Sequence, residues 1–146
     1  MEAPERIKPT GPADYLEVMT KVVFQTGISW KVVESKWPGI KDAFRDFDPE
    51  IVANLNAIDQ DTLVGDARII RNRRKVEAIV GNARLILDLD KEYGGFQKYL
   101  RSHANFEALL KDLKKRFKFV GNIGAYYFLW VVGEEVPPHE EFTASH

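Results

Sequence analysis

The longest regular pattern in the chain is helical. Between Ile69 and Asp90, Ile69, Ile70, Val76, Ile79, Val80, Ala83, Ile86, Leu87 and Leu89 fall at three- and four-residue intervals. Such a stripe can be buried only when other elements pack around it, and its period does not suit a strand. Shorter segments repeat the pattern. A helix begins near Asp14 with Tyr15, Leu16, Val18, Met19, Val22, Val23 and Phe24 inward, and Gly27 ends it. Ser29 is placed to cap a second helix carrying Trp30, Val32, Val33 and Trp37. Pro38 predicts a break, with a third helix carrying Ile40, Ala43, Phe44 and Phe47 after it. Asp48-Pro49 reads as a cap with a first-turn proline, and Asp59 as the cap of a short helix reaching Leu63. Gly94-Gly95 closes the long helix, Phe96 to Leu100 forms a short one, and Asn105 caps the next. The run from Ile123 to Val132 is apolar nearly all round, as in a helix buried inside a bundle. No strand ladder emerges. The fold class expected is all-α, a compact helical bundle.

A chain of 146 residues, 45% hydrophobic and 29% charged, is long enough for one self-supporting core. The expected organisation is a flexible lead-in over 1–12, a helical domain over 13–133 and an acidic tail over 134–146. There is no cysteine, which excludes disulfides and thiolate zinc sites. No apolar run is long enough to cross a bilayer, so no membrane partner is expected; the absence of cysteine fits a cytoplasmic location, and a monomer is the expected state. The formal net charge of −1 hides segregation. Arg68, Arg71, Arg73, Arg74 and Lys75 stand against Asp66 alone, and five bases between Lys111 and Lys118 stand against Asp112 alone, whereas Glu134 to Glu141 holds four glutamates.

Four blocks, in order, carry a family resemblance. They are Phe24-Gln25-Thr26-Gly27-Ile28-Ser29-Trp30; Phe47-Asp48-Pro49 with Val52-Ala53; Ile69-Ile70-Arg71-Asn72-Arg73-Arg74-Lys75-Val76 with Ala78-Ile79 and Asn82-Ala83; and Leu113 to Gly121 leading to Tyr126, Phe128 and Gly133. Together they resemble the 3-methyladenine DNA glycosylase type I family of the helix-hairpin-helix superfamily. The resemblance implies a helix-hairpin-helix element, double-stranded DNA containing alkylated bases as partner, and excision of a 3-methyladenine-type purine by base flipping in base-excision repair. The alternative is a non-catalytic helix-hairpin-helix DNA-binding protein.

The chemistry requires a phosphate grip, an extruded nucleotide and a pocket for the departing base. For the grip, the turn Val120-Gly121-Asn122-Ile123-Gly124 can aim N–H groups and a helix N-terminus at a phosphate, with Gly121, Asn122 and Gly124 as contacts. Ile123 occupies the second glycine position of the superfamily's Gly-x-Gly hairpin. The flanking bases Arg71, Arg73, Lys75, Lys114 and Arg116 are candidate phosphate partners. Trp30 matches the family's pocket tryptophan, whose electron-rich face favours a cationic base, and Gln25 is placed to bond a base edge. Val22 stands where the family has a pocket glutamate, eight residues before the tryptophan, and cannot accept a hydrogen bond. No aspartate follows Gly133; Glu140 and Glu141 are the candidate catalytic carboxylates, set against the plain reading of a solvated tail. The resemblance allows a monovalent cation at the hairpin; no cofactor is required and no zinc clasp can form.

Overall fold

The computed structural model describes residues 4–146. Among these there is no strand, and the order is α1 (Pro12–Gln25), α2 (Trp30–Ala43), a 3₁₀ turn (Arg45–Phe47), α3 (Pro49–Ala53), α4 (Ala57–Val64), α5 (Arg73–Tyr93), α6 (Phe96–Leu100), α7 (Phe106–Arg116), α8 (Asn122–Val131) and α9 (His139–Ser145). α5 is the axis. It packs against α1, α3, α4 and α6, while α8 lies against α1 and α7. Val76, Ile79, Ala83 and Ile86 of its stripe are fully buried.

Helix ends follow local chemistry, and several differ from expectation. α5 starts at Arg73, because Asn72 accepts the Lys75 N–H at 3.1 Å; Ile69 is buried in the loop ahead of it. Gly94, at φ 71°, closes the helix in the left-handed region that glycine favours. Asn56, not Asp59, caps α4, with Asp59 returning the bond from the third position. Ser29 sits at the N-cap of α2 without bonding through its side chain. Pro38 does not break α2. Its exposed ring costs the helix one N–H bond, while its neighbours Trp37 and Ile40 are buried on the opposite face. Trp37 stacks on Phe47 at 5.4 Å and Phe47 on Phe44 at 5.6 Å, holding the turn over 45–47 in which Arg45, Asp46 and Phe47 all have positive φ.

Both ends of the described chain are tied down. Met1–Ala3 of the expected lead-in lie outside the described residues. Residues 4–11 dock on the end of α8: Ile7 N–H donates to Val131 O at 2.7 Å and Trp130 Nε1 to Pro4 O at 2.8 Å. The Arg6 guanidinium lies 4.2 Å above the Trp130 ring. At the other end, the acidic tail forms α9, whose buried Phe142 stacks on Tyr126 at 4.4 Å. Among the described residues no helix is long and apolar enough to cross a membrane.

α6 and α7 are joined through Asp112. Although burial pushes its carboxyl upward, bonds from Tyr99 (2.6 Å), His103 (2.8 Å) and Arg116 (2.8 Å) outweigh it and hold the group at about 2. A carboxylate held below its ordinary 3.8 stabilises the fold above that value and loses the contribution as pH falls toward 2. We therefore expect urea unfolding to show a loss of about 2 kcal/mol across that window, and Asp112→Asn to abolish most of this pH dependence.

Candidate functional site: an aromatic recess beside the turn before α8

Two loops meet at one end of the bundle, and α5 holds both of them. Lys75 is 4% exposed; its ammonium donates to Thr26 O at 2.6 Å and Phe24 O at 3.3 Å, closing the end of α1. Burial lowers its affinity for the proton. Lys75 is therefore not a surface cation, and its expected role as a phosphate partner is corrected: both carbonyl bonds point its charge inward. Two helical turns on, Asn82, 2% exposed, accepts the Lys118 N–H at 3.0 Å and donates to Lys118 O at 3.2 Å. Thr26 Oγ1 then reaches Phe119 O at 3.4 Å, joining the α1–α2 turn to the turn before α8.

Beside these loops opens a recess of about 1210 Å³. Trp30, Gln25, Val22, Gly121, Asn122 and Gly124 all line it. Trp30, first residue of α2, is half-buried with its ring on the recess. Gly121 is the N-cap of α8; a methyl group there would meet nothing within 4 Å, so its bare backbone leaves the first turn of α8 uncovered. Asn122 Oδ1 is shielded from solvent and has no hydrogen-bond partner among the described residues. Gly124 serves packing, since a Cβ there would lie 2.6 Å from Val22 Cγ1. Val22 thus fills the seam between α1 and α8 as well as forming recess wall. Around the turn, Lys118 O accepts from Asn82, Phe119 O from Thr26 and Gly121 O from the Ala125 N–H.

The other candidates lie outside. Glu140 and Glu141 are exposed in the first turn of α9 and do not line the recess, although the tail does return far enough for His146 to reach its edge. Arg71 and Lys114 are exposed. Arg73 is paired with Asp61, and Arg116 with Asp112 at 2.8 Å. The carboxylates in the recess are others, notably Glu17 and Glu34, with Lys21 between them in the lining. The signal for Glu34 was present in the sequence: it stands four residues after Trp30, on the same helix face.

The methyladenine glycosylase family model matches residues 9–109. The chain is 36% identical to the DNA-3-methyladenine glycosylase 1 of Escherichia coli and 33% identical to the DNA-3-methyladenine glycosylase of Haemophilus influenzae; each match covers 75% of this chain and 70% of the relative. A crystal structure of a single-residue variant of 3-methyladenine DNA glycosylase I in complex with 3-methyladenine superposes with a TM-score of 0.76 at 30% identity, covering 90% of this chain and 85% of that one. A helical bundle with an aromatic recess beside a glycine turn is the class of protein these features define. Within it, the chain belongs to the methyladenine glycosylase family.

The seam between α1 and α8 supplies a test of the geometry. Gly124→Ala is expected to cost about 1–3 kcal/mol of stability through overpacking against Val22. Adding Val22→Ala should recover most of that loss, and a double-mutant cycle in urea unfolding measures the coupling.

Proposed function

We propose that the protein is a monofunctional DNA glycosylase that excises an alkylated purine of the 3-methyladenine type. The observation that carries this reading is that Trp30 and the Gly121 turn line one open recess. A purine alkylated at a ring nitrogen while bonded to the sugar carries a positive charge, so its glycosidic bond is weak. Held against the face of Trp30, that cation is favoured by the ring quadrupole. The bond's electron pair leaves with the base, the charge passes to the anomeric carbon, and water adds there and gives up a proton to solvent, yielding an abasic site and a free neutral base. Gln25 offers a polar contact to the base edge, and Val22 an apolar wall.

Double-stranded DNA is the proposed partner, with a cytoplasmic monomer as the acting form and no cofactor in the reaction. The grip combines the uncovered first turn of α8 with exposed charges at the end of α7, Lys114 and Arg116, and with Arg71. Arg73 and Arg116 would have to exchange their present partners for phosphate. Val22 favours the second reading, a DNA-binding module without excision, because that wall offers no carboxylate.

Incubation with methylated duplex DNA, followed by chromatography of the released bases, separates the two. Excision predicts 3-methyladenine in the supernatant, and Trp30→Ala should reduce its release by about 10- to 100-fold. Salt-dependent binding with no released base would establish the module instead. In the binding assay, Lys114→Gln and Arg116→Gln should each flatten the slope of log K against log salt by about one. An unchanged slope removes that residue from the phosphate footprint.

A further inference from the structure

The recess already holds a cation of its own. Lys21, from α1, has its ammonium 5.5 Å from the centroid of the Trp30 ring and 5.1 Å from that of Trp37. The same nitrogen is ion-paired with Glu34, whose Oε1 is shielded from solvent. Glu17 is engaged elsewhere: its Oε2 accepts Trp37 Nε1 at 3.0 Å, and its Oε1 lies 3.5 Å from Lys41 Nζ. Glu34 is therefore the recess carboxylate whose partner is a lysine that also sits over the pocket tryptophan.

A delocalised purine cation needs an aromatic face and a nearby anion, and here a lysine occupies both. We propose that Glu34 is the carboxylate that selects the cationic base, and that Lys21 is its resident counter-ion, displaced when the base enters and restored when it leaves. The proposal rests on the excision reading. It places the negative charge on α2, one turn beyond Trp30, and not at position 22, where Val22 is committed to the packing of Gly124.

The charge flow fits this order. Before cleavage the purine is positive and competes with Lys21 for Glu34 and the ring face. As the C–N bond breaks, its electron pair moves onto the purine and neutralises it, and the positive charge appears on the sugar. The free base then has no claim on Glu34. Lys21 does, and its return to the carboxylate expels the neutral product. Glu34 thus acts on substrate selection more than on the bond-breaking step.

The test uses two probes that differ in charge: 3,9-dimethyladeninium, a permanent cation whose N9 methyl stands for the sugar, and neutral 3-methyladenine at pH 8. Affinities are read by calorimetry on the intact 146-residue chain, with circular dichroism confirming the fold. Glu34→Gln should weaken the cation about tenfold and the neutral base less than twofold. Lys21→Met should tighten the cation at least threefold by removing its competitor. Equal weakening of both probes by Glu34→Gln, or no change in either, overturns the proposal. Should Glu34→Gln fail to fold, Lys21→Met decides: unchanged or weaker binding of the cation is the contrary result. Failure of the excision reading is seen separately, as absence of base release from methylated DNA by the unmodified protein, whichever probe it prefers.

Discussion

Lys75 and Asn82 are two polar side chains buried on the otherwise apolar inward face of α5, seven residues apart, or about 10 Å along the axis. Burying such groups is unfavourable unless each finds partners, and each does so outside α5. Lys75 binds the carbonyls that end α1; Asn82 binds both backbone groups of Lys118 ahead of α8. The two loops are thereby set at a fixed spacing by one rigid rod. Trp30 follows the first loop and Gly121 follows the second, so the width of the recess between them is inherited from the pitch of α5.

That dependence explains which parts of the molecule were legible in the sequence. The apolar stripe of α5, the caps Asp48 and Asn105, and the closing Gly94 are local signals, and they identify elements directly. Pro38 misleads because the penalty for a lost N–H bond is set against the burial of Trp37 and Ile40, a tertiary gain that no local pattern reveals. Asp59 misleads more mildly: in a reciprocal cap both members are good capping residues, and Asn56 takes the outer position. Ile69 extends the apolar stripe beyond the helix because it is buried in the loop ahead of Asn72, and burial is not the same as helix.

Charge was the least legible property. The bases around Arg71 read as one cluster, yet α5 directs Lys75 inward while Arg73 faces Asp61 and Arg71 faces solvent. The run spans the loop ahead of α5 as well as its first turn, where a helix distributes consecutive residues around its circumference, so its members meet different surroundings. The same geometry, used the other way, would have found Glu34: positions four apart share a face, and Trp30 and Glu34 do line one recess. Trp30, Gln25 and Val22 lie in one short segment that spans the α1–α2 turn, and all three line that recess.

The wall formed by Val22 and Gly124 gives the recess its particular balance. An apolar wall backed by close helix packing is stiff, since neither the valine nor the adjoining backbone can move without separating α1 from α8. A carboxylate on that wall would sit against the base throughout bond breaking, and it would hold back the departure of positive charge from the purine to the sugar. A carboxylate on α2 that shares a lysine does so less, because the lysine reclaims it as the purine becomes neutral. Under the proposed reaction, exchanging a fixed anion for a paired one lowers the affinity for the cationic ground state while leaving the charge free to move. That is the direction in which differential binding favours the transition state over the substrate.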